Sequence, residues 1–433
     1  MIKNREFKNA SWIIACKIVQ SVLALVINMF TARYLGPGNY GTIHYAASLV
    51  SFVVPIMQLG LNSILVQEIV HRPKQEGTIL GTAILLSMGS SVLCIAGVVS
   101  FVCIVNAGET ETILVCALYS VLLVFQSMEL IQYWFQAKLL SKYTSIVMLV
   151  AYIVVSTYRA ILLITAQSIY WFALTSALDY MLIAGILLIL YCKLGQTRLR
   201  FSWSMAKILL SKGRYFILSS LMITIFSQTD RIMLKLMVNE ESTGFYSAAV
   251  SCALLTNFVF TAILDSGRPS IFEQKKKGNH QAYEKRITLL FSIITYISLL
   301  QCVFMTLLSG IIVKILYGND FTQSADILQV AVWYTTFSYI GAVRSIWILA
   351  EGQQKYIWII NLSGALLNVA LNFVLIPIQG AIGAAIASLV TQFITNIVLT
   401  QVIPSMRRCN LLLAKGLNPS YLIEAMRALV NKE

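Results

Sequence analysis

The stretch SSLMITIFSQTDRIMLKLMVNEESTGFYSAA, residues 219–249, decides how the rest of the chain is read. Its first two-thirds predict a membrane-spanning helix, apolar on most sides, yet it holds Gln228, Asp230, Arg231 and Lys235. A charge at bilayer depth costs at least ~2.5–3.5 kcal/mol on insertion scales, so three of them within six residues need water, a partner or a ligand. Gln228, Arg231 and Lys235 fall at i, i+3 and i+7 and share one helix face. That face cannot look at lipid. The rest of the chain is therefore expected to wall off a polar interior.

Composition supports a membrane setting. The chain is 58% hydrophobic and 12% charged, with a mean hydropathy of +0.78. Soluble domains carry about twice that charge. Apolar runs of 18 or more residues recur, each long enough to cross ~30 Å of hydrocarbon. A β-barrel would show short alternating segments instead. The first apolar run, from about Ala10 to Ala32, is too long for a cleaved leader and is expected to act as an uncleaved anchor. Six of the eight cysteines lie inside apolar runs, no C-x-x-C occurs, and His44, His71 and His280 are scattered. That pattern excludes zinc and haem readings and a disulfide framework; no metal and no cofactor is expected.

Twelve spans are predicted, near 11–32, 42–60, 78–105, 112–135, 144–165, 168–191, 215–238, 243–265, 287–315, 325–350, 356–377 and 380–403. Of the 32 basic residues, 25 fall in alternate connections and the two ends, while the other connections carry Glu109, Glu111, Glu240, Glu241 and Asp320. The positive-inside rule makes the basic set cytoplasmic, with both termini inside. The net charge of +14 is then a topology signal, and no nucleic-acid partner is expected. The basic stretch 196–214 divides the chain into an N-terminal six-helix lobe, 1–195, and a C-terminal one, 215–404, followed by a cytoplasmic tail, 405–433. Within that stretch, Trp203 to Leu210 predict a short amphipathic helix on the anionic inner leaflet, and the basic tail is expected to lie there too.

The halves carry a faint repeat. ARYLGPGNYGTIHYAASL (32–49) and MLKLMVNEESTGFYSAAVSC (233–252) align Gly41 with Gly244 and Ala46–Ala47 with Ala248–Ala249. Two parallel six-helix lobes with a central cavity are a common transporter plan. Toward the C-terminus, Asn361, Asn368 and Asn372 form a polar stripe, and Gly383, Ala384, Ala387 and Ser388 offer close-packing positions.

The segments YLGPGNYG (34–41), LGLNSILVQEI (59–69), SQTDRIMLKLMVNEESTGFYSAA (227–249), ILYGNDFTQSADILQV (315–330) and NVALNFVLIPIQGAIGAAIAS (368–388), in this order and spacing, resemble the polysaccharide-transporter branch of the multidrug/oligosaccharidyl-lipid/polysaccharide superfamily. The likeness spans nearly the whole chain and is strongest to O-antigen flippases. It implies two lobes of six helices around a cavity that opens alternately to each side. It also implies transfer of an undecaprenyl-pyrophosphate-linked oligosaccharide from the inner to the outer leaflet of the bacterial plasma membrane. Such a protein would meet membrane lipids and the lipid-linked oligosaccharide, and would serve a polysaccharide polymerase. The lipid II flippases of the superfamily usually add two further helices, and a count of twelve favours the O-antigen branch.

Seven basic residues fall outside the cytoplasmic set. Lys17, Arg33, Arg159, Arg231, Lys235 and Arg344 are the candidate substrate-binding residues, and Lys314 is expected to snorkel to an interface. A pyrophosphate crossing a low-dielectric region must be met by cations; Arg offers a planar fork for phosphate and Lys a point charge. Snorkelling competes with that role at Lys17 and Arg33, and a bundle-holding pair competes with it at Asp230 and Arg231. Asp179, Asp230 and Glu129 are candidates for coupling to H⁺ or Na⁺, with a pair between Asp179 and Arg159 as the open alternative. Tyr133, Trp134, Trp171, Trp333, Trp347 and Trp358 fall near predicted helix ends, where interfacial belts explain them as well as sugar stacking does. The competing function is an ion-coupled multidrug or cation extruder on the same two-lobed fold, which would favour acidic rather than basic deep charges. An enzyme is not expected, because the outer connections are short and no catalytic constellation occurs.

Overall fold

The computed structural model describes the backbone of residues 2–195 and 197–421, with side chains for 19–195, 197–214 and 216–421. Helices follow in the order α1 (Ile2–Met57), α2 (Leu65–His71), α3 (Glu76–Val105), α4 (Thr110–Ala137), α5 (Ser141–Ile164), α6 (Ile169–Leu194), α7 (Trp203–Met237), α8 (Glu240–Ala253), α9 (Asn257–Lys276), α10 (His280–Tyr317), α11 (Ser324–Ala350), α12 (Lys355–Val402) and α13 (Arg407–Gly416). Among the described residues, seven helices are long and apolar enough to cross a membrane, or up to nine if each bent pair is one span. Two of the seven are double. α1 breaks at Gly36 and α12 at Gly380, both at positive φ, where a side chain would strain the backbone. With both bent pairs included, those arms counted separately and the less apolar α11 added, the helical segments come to twelve, roughly consistent with the expected spans.

In α12 the arms fold back on each other. A Cβ at Gly383 would overlap the Leu375 carbonyl, which a straight helix would hold ~12 Å away. Asn368 Nδ2 also meets Ser388 Oγ at 3.5 Å, residues that a continuous helix would separate by ~30 Å. The asparagine stripe thus becomes an internal seam of this hairpin, with Asn372 Nδ2 donating to Asn368 Oδ1 at 3.2 Å.

By its contacts the chain divides into two units, Met1–Lys235 and Leu236–Glu433. The division falls inside α7 and not in the basic stretch before it. The polar face of α7 makes hydrogen bonds with α1 and the α3–α4 connection, described below.

In the first unit the stretch after α6 is a fitted strap. Gly77 N–H donates to Thr197 Oγ1 at 2.9 Å, Arg200 N–H to the Gly77 carbonyl at 3.3 Å, and Ser202 N–H to Thr82 Oγ1 at 3.1 Å. The strap lies so close to α3 that a Cβ at Gly77 or Gly81 would strike its backbone. Residues 203–214 are helical, as expected, and bend by 47° into the rest of α7. Trp203 is exposed, but Met205, Ala206 and Leu209 are buried in the first unit's core. Two buried carboxylates anchor this end. Glu68 is held by Lys212 and by Arg72, and Glu76 by Lys138 at 2.7 Å, which is what a buried charge requires.

In the second unit, α8 and α9 form one line bent by 45°. A break inside hydrocarbon frees carbonyls that must find donors; buried Gln301 supplies one, its Nε2 donating to the Ala253 carbonyl at 2.9 Å. The ends of α9, α10 and α11 are tied by Glu351, which accepts from Lys275 Nζ at 2.7 Å and from the Tyr283 hydroxyl at 2.9 Å. α13 buries Cys409, Leu412 and Leu413 with the core residues of α10 and α11 and exposes Arg407, Arg408 and Lys415. Two of the six end-located aromatics depart from a belt position. Trp134 and Trp347 are each 2% exposed; Trp134 packs edge-on against Phe135 and Tyr191 at 5.0 and 5.1 Å. Trp171 and Trp358 are exposed.

Candidate functional site

The α7 face foreseen in the sequence carries two hydrogen-bonded groups in a row inside the first unit. Gln228 Oε1 accepts from Ser48 Oγ of α1 at 3.1 Å and from Arg231 Nη1 at 3.3 Å. One turn on, Lys235 Nζ donates to Glu109 Oε2 at 2.7 Å. Asn106 Nδ2 approaches the same oxygen at 3.3 Å, and Asn106 Oδ1 accepts from the hydroxyl of buried Tyr45 at 2.9 Å. Asp230 is buried on the adjacent face, and Arg231 is half-buried. The helical spacing of 3 and 4 residues is what stacks Gln228, Arg231 and Lys235 in a row.

Glu109 lies in the connection between α3 and α4, outside the spans. Burial raises its carboxyl, but hydrogen bonds from Lys235, Thr112 and Asn106 and the ammonium charge outweigh that, so it stays below the ordinary carboxylate value. Chemically, the line presents one guanidinium and one ammonium a turn apart. It can hold an anionic group, with the ammonium already paired to a carboxylate. Glu109, Asn106, Tyr45 and Ser48 were not singled out from sequence. Their signal was weak: an acid in an otherwise charge-poor connection, and three ordinary polar residues whose relevance depends on packing.

A second cluster brings together Glu129, Arg159 and Asp179 in the same unit. Arg159 Nε donates to Thr175 Oγ1 at 3.1 Å. The Arg159–Asp179 pair weighed from sequence is not formed: among the described residues no ion pair joins them, and buried Asp179 Oδ1 has no hydrogen-bond partner. Glu129 sits in a tight 3₁₀ turn of α4 within electrostatic reach of Asp179.

The remaining expected residues are dispersed. Arg33 is exposed near the end of the first arm of α1, three residues before Gly36. Lys17 lies outside the described side chains. Arg344, in the second unit, is 1% exposed. Its guanidinium donates to the Asn396 carbonyl, in a π-helical turn at Ile394–Val398, and to Asn410 Oδ1 of α13 at 2.7 Å. The sequence marks Arg344 as a candidate substrate-binding residue; its guanidinium is enclosed and donates to protein acceptors. In this structure Arg344 holds α11, α12 and α13 together. Burial pushes the neighbouring Cys409 thiol up to about 11, against the lowering effect of the guanidinium.

Residues 7–265, more than half of the chain, match the family described as polysaccharide biosynthesis protein. The chain is 21% identical to the capsular polysaccharide biosynthesis protein CapF of Staphylococcus aureus over 405 residues, 90% of this chain and 97% of that protein. Among solved structures, the lipid II flippase MurJ in an inward closed conformation superposes with a TM-score of 0.72 at 14% identity, covering 90% of this chain and 87% of that one. A multidrug resistance MATE family transporter of the MOP superfamily, inward-facing, gives 0.67 at 13% identity, covering 90% and 96%. Each of these likenesses covers 90% of the chain. The family match runs from α1 into α9 and so takes in the whole polar face of α7: the chain belongs to the polysaccharide biosynthesis protein family.

Proposed function

We propose that this protein is a flippase of the bacterial plasma membrane. It moves oligosaccharide repeat units, linked to undecaprenyl pyrophosphate, from the inner to the outer leaflet for O-antigen or another surface polysaccharide. Both termini are cytoplasmic in this reading, and transfer proceeds by alternating access. The observation that carries it is the presence of Arg231 and Lys235, one turn apart, on one polar helix face. A diphosphate cannot enter a low-dielectric path without cations to replace its water, and Arg offers it a two-pronged donor while Lys offers a point charge. Membership of the polysaccharide biosynthesis family and the flippase-like fold support the same cargo class. Glu129 and Asp179, deep in the first unit, are the proposed coupling pair for H⁺ or Na⁺.

The test is a deletion strain. Lipid-linked repeat units are expected to accumulate on the inner leaflet and surface polysaccharide to be lost. Intact surface polysaccharide together with raised sensitivity to cationic drugs would replace this reading with that of an extruder. In reconstituted vesicles, Arg231→Ala with Lys235→Ala is expected to abolish transfer at matched protein abundance. Near-normal transfer by that double variant removes α7 from the path.

A further inference from the structure

Of the two cations of α7, Arg231 donates to Gln228 Oε1 of its own helix, and Lys235 is paired at 2.7 Å with the carboxylate of Glu109. The pair is itself lopsided. The Lys235 side chain is 5% exposed and that of Glu109 is 45% exposed. The ammonium lies on a buried helix face, away from water. The carboxylate stands in a four-residue connection and needs only side-chain rotation to be solvated. When an anion approaches, the member that leaves is therefore Glu109, and Lys235 exchanges one anion for another. At no stage is a buried charge left alone, the condition that makes such an exchange inexpensive.

The rest of the line fits this role. Asn106 donates to the Glu109 oxygen and accepts from Tyr45, so the carboxylate is aimed from α1 through the connection. A pair serving only to hold helices together would not need its exposed member guided in this way.

We propose that Glu109 is a built-in stand-in for the substrate phosphate: it neutralises Lys235 when the site is empty and yields the ammonium when a phosphate-bearing headgroup arrives. Glu109 is a positioning residue that acts through Lys235. The inference rests on the proposed function, in which a diphosphate meets α7.

The experiment uses the purified full-length protein in detergent, titrated with inorganic pyrophosphate and followed by calorimetry, with the thermal unfolding midpoint as a check on folding. Glu109→Gln removes the competitor and is expected to bind pyrophosphate ~10-fold more tightly, which is about 1.4 kcal/mol. The gain is expected to vanish when Lys235→Gln is added. Asn106→Ala keeps the charge but loosens its aim, and a smaller gain of the same sign is expected; it also serves if Glu109→Gln fails to fold. Unchanged or weaker binding in folded Glu109→Gln or Asn106→Ala, with wild-type binding that depends on Arg231, overturns the stand-in role and leaves the flippase reading in place. Absence of pyrophosphate binding in the wild type and in both variants overturns the two together.

Discussion

Substitution of Arg344 separates a structural cation from a substrate ligand. Its guanidinium makes two hydrogen bonds, to the Asn396 carbonyl and to Asn410 Oδ1, and no carboxylate forms an ion pair with it among the described residues. Each charge-assisted bond contributes about 1.5–3 kcal/mol net. Burying a cation without a counter-charge costs several kcal/mol and offsets part of that. Truncation also leaves a void at one of the largest enclosed side chains of the molecule, and large-to-small changes in cores cost about 2–5 kcal/mol. Arg344→Ala is therefore expected to destabilise the second unit by about 3–5 kcal/mol, the upper part of the range for truncating large core side chains. Arg344→Lys, with one directed bond in place of two, is expected to lose about 1.5–3 kcal/mol. For a unit of this size, ~2–4 °C per kcal/mol applies, so the Ala variant should unfold at least ~6 °C below wild type in a detergent melt. Limited proteolysis should then cut first near α13, whose Asn410 has lost the guanidinium that ties it to α11. Transfer per folded molecule should be preserved in both variants. A fully stable Arg344→Ala that has lost transfer would refute the argument and return Arg344 to the substrate path.

Further outcomes are expected. Reporter fusions near residues 74, 140, 205, 277 and 353 should read cytoplasmic, and those near 108, 166, 241, 319 and 379 external; an external reading at 277 breaks the alternation on which the topology rests. Glu351 is held below its usual value because the bonds from Lys275 and Tyr283 and the nearby charges outweigh its burial. Its depressed value means that its contribution is present above the ordinary carboxylate range and is lost as pH falls through the folded value. Glu351→Gln should therefore melt lower at pH 7 and show a shallower loss of stability in acid than wild type. Gly383→Ala places a methyl group against the Leu375 carbonyl, and such overpacking costs about 1–3 kcal/mol. A melt unchanged from wild type would mean that the α12 arms are not so close.

The periodicity and length of the apolar runs, together with the placement of the charges, were enough to specify an all-helical, twelve-span chain, because hydrocarbon permits few other ways to satisfy a backbone. The same physics marked Gln228, Asp230, Arg231 and Lys235, since charges so deep demand an explanation. Helical spacing alone placed three of them on one face, as the structure has them. Sequence spacing could not tell which element would face them. Glu109 lies 126 positions from Lys235, and Ser48 lies 180 from Gln228; nothing local links such pairs, and only the packing of α1 and the α3–α4 connection against α7 brings them together. Depth along a helix also proved a poor guide to access. Arg231 and Arg344 look alike as intramembrane arginines, yet the first is half-buried on a polar face and the second is enclosed by α12 and α13. Trp134 and Trp347 sit near helix ends in sequence and in the core in space. Hydropathy and spacing fix what one helix can tolerate, because that depends on its own side chains and the solvent. Which tolerated group meets a partner is set by neighbours distant in sequence, and only the tertiary structure decides it.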